Sequence, residues 1–359
     1  MDFWYRVRFP LMALGMLSLL TGLWAGLSRL GLNVPLVNSG MPELHGPLMV
    51  CGFLGTVIGL ERAVAMGKGW PYAAPLLAGT GTLALLFGAP AGLGRLCIVF
   101  AAVILVMVFA AILNRQWAVF NVVMAMGAAS WLIGNVSWFF DVPLYRVAPF
   151  WAGFLILTIA GERLELSRLS APPQWARTVF LIIVAVFIAG TVGAAVKDDA
   201  SFFGFGAMGL AVWLGFFDLA VKTVRMEGLT RFVAACLLSG YFWLGLGGAL
   251  AIAQGDMLPG GPMYDAILHS IFLGFVFAMI FGHAPLIFPA ILRVPVDYSP
   301  AFYLHIALLE ISLAARVGGD LLFGAQFVKW GGILNAVTIL AFLANTALAV
   351  MRGRKLQGA

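Results

Sequence analysis

The chain has 359 residues, of which 62% are apolar and only 10% charged, with a mean hydropathy of +1.02. In water that composition would leave far too much hydrocarbon exposed, so it excludes a soluble globular protein and requires a surface that faces lipid. The formal charge of +6 comes without a basic patch interleaved with aromatic residues, which sets nucleic-acid binding aside, and Cys51, Cys97 and Cys236 lie in apolar runs without CxxC spacing, which gives no support to a disulfide framework or a zinc site.

Apolar runs bounded by charges or by Gly and Pro predict about twelve helices, at residues 9–28, 45–65, 71–90, 95–113, 117–139, 147–164, 176–195, 203–221, 232–253, 264–291, 301–317 and 330–350. Most reach the roughly 20 residues that a helix needs to cross about 30 Å of hydrocarbon, and they lack the period-two alternation of a membrane barrel. The first run has charged flanks and no small-residue cleavage site, so it reads as a retained helix rather than a signal peptide. The connections around 29–44, 165–175 and 254–263 are too short to bury cores of their own, so residues 1–359 read as a single integral membrane domain. With the N-terminus inside, fifteen Lys and Arg residues fall on inner segments and six on outer ones, namely Arg29, Arg95, Arg146, Lys197, Arg316 and Lys329. That asymmetry predicts an even number of spans with both termini cytoplasmic, in a bacterial-type inner (plasma) membrane.

A short pattern recurs on the second, sixth and tenth runs. Gly52-Phe53 is followed nine residues after the Gly by Glu61, Gly153-Phe154 by Glu162, and Gly274-Phe275 by His283. A recurrence on every fourth helix predicts an all-α architecture of three quasi-equivalent four-helix units, approximately 1–116, 117–222 and 223–359.

The chain has only four histidines, His45, His269, His283 and His305, on or beside the first and third units. His45 opens the second run, and His269 lies a turn or two into the tenth, which runs in the same direction, so both belong near the outer face at comparable depth. Two neutral imidazoles facing each other from separate helices would fill both axial positions of a low-spin heme iron, whereas the alternative for each is a hydrogen-bonded polar residue at a helix contact. His283 lies 14 residues beyond His269, about 21 Å deeper at 1.5 Å per residue. By depth its nearest partner is His305, and with Glu61 and Glu162 these residues compose an inner-side polar cluster that would serve as a proton path, a metal site or a helix-contact network. Glu310 falls in the middle of its span, where a carboxylate is costly and is usually paired, protonated or turned to water. Met49, four residues after His45, and Met279, four residues before His283, add soft donors that would suit copper.

Twelve spans in three groups of four, with histidines on the second and tenth, resemble the heme-copper oxidase subunit I superfamily. The segment His45-Gly46-Pro47-Leu48-Met49-Val50-Cys51-Gly52-Phe53 and the segment from His269 to Gly282-His283 resemble those of NnrS-like membrane proteins linked to nitric oxide metabolism. The resemblance implies heme b held by His45 and His269, Arg316 in the region where that superfamily holds propionates, and a redox partner protein beside the bilayer. The sixth and seventh runs contain no histidine. The second metal of a terminal oxidase or nitric oxide reductase therefore has no ligands, which makes turnover at a binuclear centre improbable. The expected function is electron transfer, sensing or protection in nitric oxide or respiratory redox metabolism. The competing classes are a proton-coupled transporter built on the inner-side cluster and an assembly factor for a respiratory complex.

Overall fold

The computed structural model describes residues 3–256 and 259–358, which are helical throughout except for loops and one isolated antiparallel bridge between Asp199 and Asp256. The long helices are α1 (Phe3–Arg29), α2 (Met41–Met66), α3 (Ala73–Leu86), α4 (Ala91–Arg115), α5 (Val119–Phe139) and α6 (Leu144–Ser167). They continue with α7 (Gln174–Val196), α8 (Ser201–Phe217), α9 (Gly228–Gln254), α10 (Pro262–Leu292), α11 (Phe302–Gly318) and α12 (Ala325–Gly358). Among the described residues nine of these, all but α3, α8 and α11, are long and apolar enough to cross a membrane. The other three have 14, 17 and 17 residues. At 1.5 Å per residue α3 covers about 21 Å, short of the ~30 Å of hydrocarbon.

The cause of each short helix is local. Gly88, at φ +84°, with Pro90 two residues later, ends the regular backbone after α3. Asp218, whose backbone is extended at φ −69° and ψ 151°, stops α8, and α11 passes into a π-helical turn over Gly319–Phe323. Large apolar side chains point away from the protein around the bundle, for example Phe100 on α4, Ile182 on α7 and Val337 on α12. The interior is filled by fully buried aromatic residues such as Trp131, Phe154 and Phe275. This inverted surface is what an apolar solvent selects.

Sequential helices pack side by side, and the recurring Gly of α2, α6 and α10 lies against both the preceding and the following helix. A Cβ at Gly52 would lie 2.7 Å from Ser18 of α1 and 2.6 Å from Thr82 of α3. One at Gly153 would lie 2.6 Å from Ser130 of α5 and 3.5 Å from Thr191 of α7. One at Gly274 would overlap Trp243 of α9 and approach Leu313 of α11 to 2.9 Å. In each case the small residue lets the helix before and the helix after approach its backbone, a use of Gly that is common where lipid offers no hydrophobic drive for association.

Two of these three helices are irregular. In α2 the backbone is π-helical over Leu48–Leu54, and in α10 over Ser270–Phe277. Each π segment starts within three residues after a histidine, His45 or His269. π turns are rare, and they widen the helix locally where functional side chains have to be aimed.

Candidate cofactor site

His45 and His269 come together. Their imidazole planes are 15° apart and their ring centres 6.5 Å apart. Rings in direct face-to-face contact would have centres about 3.5–4 Å apart, closer than this pair. An imidazole nitrogen sits about 2 Å from a bound metal and about 1 Å from its own ring centre, so two in-line imidazoles sharing one metal have centres about 6 Å apart.

Each ring is oriented through its Nδ1. His45 Nδ1–H donates to the Gly22 carbonyl at 2.8 Å, and the ring lies against Gly26, where a Cβ would be 2.9 Å from it. His269 Nδ1–H donates to the Asp265 carbonyl at 2.9 Å and lies 3.2 Å from the Asp265 carboxylate. Because a carbonyl can only accept, the proton resides on Nδ1 in both residues, and Nε2 carries the lone pair a metal would use.

Between and around the rings is a cavity of about 280 Å³ bounded by α1, α2, α6, α10, α11 and α12. That is close to the lower end of small-molecule sites and far larger than a bare ion requires. Its walls change character along the helix axes. At the helix ends it is lined by Arg29, Glu43 and Tyr264, and further along by Val50, Leu54, Phe277 and Ile339. Asn335 of α12, which is 4% exposed, also lines it, and its amide oxygen and nitrogen have no partner among the described residues. An orphaned amide on a cavity wall is costly unless a ligand or water meets it. An amphipathic planar group, polar at one edge and apolar over its body, fits this gradient.

Arg316 borders the cavity, but its guanidinium is committed to the protein. Nε and Nη2 donate to the two Asp265 carboxylate oxygens at 2.8 and 3.0 Å. The arginine thus supports the carboxylate that supports His269, an outer layer of contacts of the kind that fixes metal-bound histidines. The basic residue left to meet an anionic ligand edge at this mouth is Arg29, an exposed residue at the end of α1. Asp265 and Asn335 complete the site without belonging to any of the recurring motifs. Asp265 was detectable, because it lies four residues before His269 on the same helical face.

At the opposite ends of α2 and α6, Arg62 is ion-paired with Glu162 and lies 3.5 Å from Glu61, so the two recurring glutamates meet on one cation. Next to them Arg163 makes a bidentate pair with Asp218, at 2.7 and 2.8 Å, with both side chains almost fully buried. His283 Nδ1–H donates to the Met279 carbonyl at 2.8 Å. His305 lies in an aromatic enclosure, edge-on to Phe281, Phe342, Phe302 and Phe232 at 4.8 to 5.9 Å, and neither ring nitrogen has a hydrogen-bond partner among the described residues. Glu310 accepts a hydrogen bond from Trp243 Nε1 at 2.8 Å, while its other oxygen has no partner among the described residues. Among the described residues no three His, Cys, Asp or Glu side chains cluster as a metal site.

Residues 8–351 match the family described as a domain of unknown function, DUF8744, and the chain belongs to that family. No curated protein and no solved structure matches it.

Proposed function

We propose that this protein is a twelve-helix, three-unit membrane protein that binds heme b between His45 and His269 and serves electron transfer or nitric oxide-related redox chemistry. The observation that carries this reading is the imidazole pair, nearly parallel at 6.5 Å, with both Nδ1 atoms tied to carbonyls beside an amphipathic cavity. His45 and His269 would supply both axial nitrogens. Arg29 would meet the carboxylate edge of the ligand at the mouth, and Asn335 would hydrogen-bond to it or to a water beside it. Bound there, the heme would supply a one-electron couple whose potential the ligands and their partners tune. The three-unit part of the proposal is supported by the equivalent packing of Gly52, Gly153 and Gly274 against the helices on either side. The short α3, α8 and α11 would then cross by virtue of polar ends and loops at each face.

The heme would be held without covalent attachment, because the three cysteines are isolated and no C-x-x-C-H occurs in the chain. With both axial positions filled and no histidine on α6 or α7, the reading is of a redox or sensing protein and not a terminal oxidase. A copper site is the second reading at the same place, favoured by Met49, which lines the cavity near His45. One metal ion with three ligands leaves most of the cavity unfilled, which argues for the larger group.

The test is a reduced-minus-oxidised spectrum of the purified full-length protein. A Soret band with the sharp α band of a six-coordinate heme is expected, and His45→Ala should abolish the six-coordinate form while the protein remains in the membrane. A colourless protein that takes up no added hemin overturns the proposal. It would shift weight to a proton-coupled transporter using Glu61, Glu162, His283, His305 and Glu310, or to an assembly role.

A further inference from the structure

The two histidines are held by partners of different strength. His269 sits at the end of a relay of charge. Its Nδ1–H donates to a backbone carbonyl, that of Asp265 at 2.9 Å, and also lies 3.2 Å from the Asp265 carboxylate, which is gripped at both oxygens by Arg316. Arg316 is itself clamped, since a Cβ at Gly331 of α12 would come within 2.5 Å of its backbone nitrogen. His45 has one neutral acceptor, the Gly22 carbonyl. Both histidines precede a π segment, His45 by three residues and His269 directly, so backbone irregularity is common to the two and the difference lies in their partners.

A carboxylate behind an imidazole raises its basicity and strengthens its bond to a metal, and a neutral carbonyl does so less. Resting on the heme reading above, we infer that His269 is the fixed axial ligand and His45 the exchangeable one, so that the site admits a small neutral diatomic ligand on the His45 side. The surroundings of His45 suit such a ligand, because Leu23, Gly26 and Met49 present no charge there. In the exchange, the coordinate bond from His45 Nε2 breaks and one from the incoming atom forms. His45 leaves as a neutral imidazole, its Nδ1 proton still on the Gly22 carbonyl, and no electron or proton is transferred. Asp265 and Arg316 act as positioning residues through His269.

The experiment uses the purified full-length protein, reduced with dithionite and exposed to carbon monoxide. A shifted Soret band and an infrared C–O stretch are expected in the unmodified protein. Asp265→Asn should raise the frequency of that stretch, because the ligand opposite becomes a weaker donor, and Asp265→Glu should bring it back toward the original value. His45→Gly should keep its heme and tighten carbon monoxide binding, by about tenfold if His45 occupies the site nine-tenths of the time. His269→Gly should lose most of its heme. A reduced, heme-loaded protein whose Soret band ignores carbon monoxide overturns the inference and leaves the heme reading standing. The inference also fails, with the heme reading intact, if Asp265→Asn leaves the stretch unmoved. Absence of any Soret band overturns both.

Discussion

Helix α6 carries the same Gly-Phe signature as α2 and α10, but it builds a different kind of structure. Over Leu144–Ser167 it is a regular α-helix, whereas α2 and α10 both turn π-helical just after a histidine. Gly153, Phe154 and the residues around them on α6 are spent on packing. Phe154 stacks on Trp131 with ring centres 5.0 Å apart, Ser130 donates to the Phe150 carbonyl at 2.7 Å, and Trp151 donates to Asn135 at 2.9 Å. Its far end holds the most buried ion pair of the described residues, Arg163 with Asp218. The recurring Gly and Phe are therefore a device for close helix contact, common to all three helices. The ligand chemistry depends on something added to two of them, a histidine followed by a π turn. A π turn places one more residue in a turn than an α-helix does, so it rotates everything beyond it and leaves a local gap.

That contrast can be broken most severely by removing one residue from the π segment of α10. Deleting Leu273 should restore a regular helix and rotate His269 by about 100° relative to the packed half of α10. Complete loss of the Soret band is expected, with the protein still inserted in the membrane; retention of the band would show that the π turn does not aim the ligand. Next in size is Arg163→Leu, which strands the buried Asp218 carboxylate. A loss of about 3–5 kcal/mol is expected, read as a drop in the midpoint of thermal unfolding in detergent. The spectrum of whatever protein remains folded should be unchanged, because this pair belongs to the packing half of the comparison.

Alanine at the signature glycines sharpens the same distinction. Gly153→Ala and Gly274→Ala should each cost about 1–3 kcal/mol through overpacking, measured the same way. Only Gly274→Ala, which forces α10 away from Trp243, should also shift the Soret maximum. If Gly153→Ala shifts it equally, the Gly-Phe packing of α6 controls the ligand site as that of α10 does, and the contrast fails. The smallest effect belongs to Arg62→Gln. Glu61 and Glu162 beside it are each about a third exposed, at 32% and 33%, so solvent screening limits the loss to about 1 kcal/mol or less. Chemical denaturation monitored by fluorescence would measure it.

Much of the architecture was legible in the chain because it depends on short-range rules. Lipid solvation requires long apolar helices, and the charge asymmetry and the Gly-Phe recurrence could be counted along them. The comparable depth of His45 and His269 followed from their distance to the ends of their runs. Other parts were not legible. Among the described residues nine helices meet the length and composition needed to cross a membrane, where the apolar runs predict about twelve; Gly88 and Asp218 end α3 and α8 early, and α11 gives way to a π turn over Gly319–Phe323. Arg316, expected near propionates, has its guanidinium on Asp265. The aromatic enclosure of His305, formed by residues of α9, α10, α11 and α12, had no signal in the spacing of the chain.

By itself, then, the sequence determined the apolar surroundings and the all-helical class, since hydropathy and helical periodicity are local properties of the chain. The tertiary structure alone decided which faces meet. Each residue turns a helix by about 100°, so a single π insertion or a change of neighbour redirects a side chain from one partner to another without altering its depth. That is why the level of the two histidines could be read from the chain, while their 15° alignment, the cavity beside them and the relay from Arg316 through Asp265 to His269 emerged only when α2, α10, α11 and α12 were packed together.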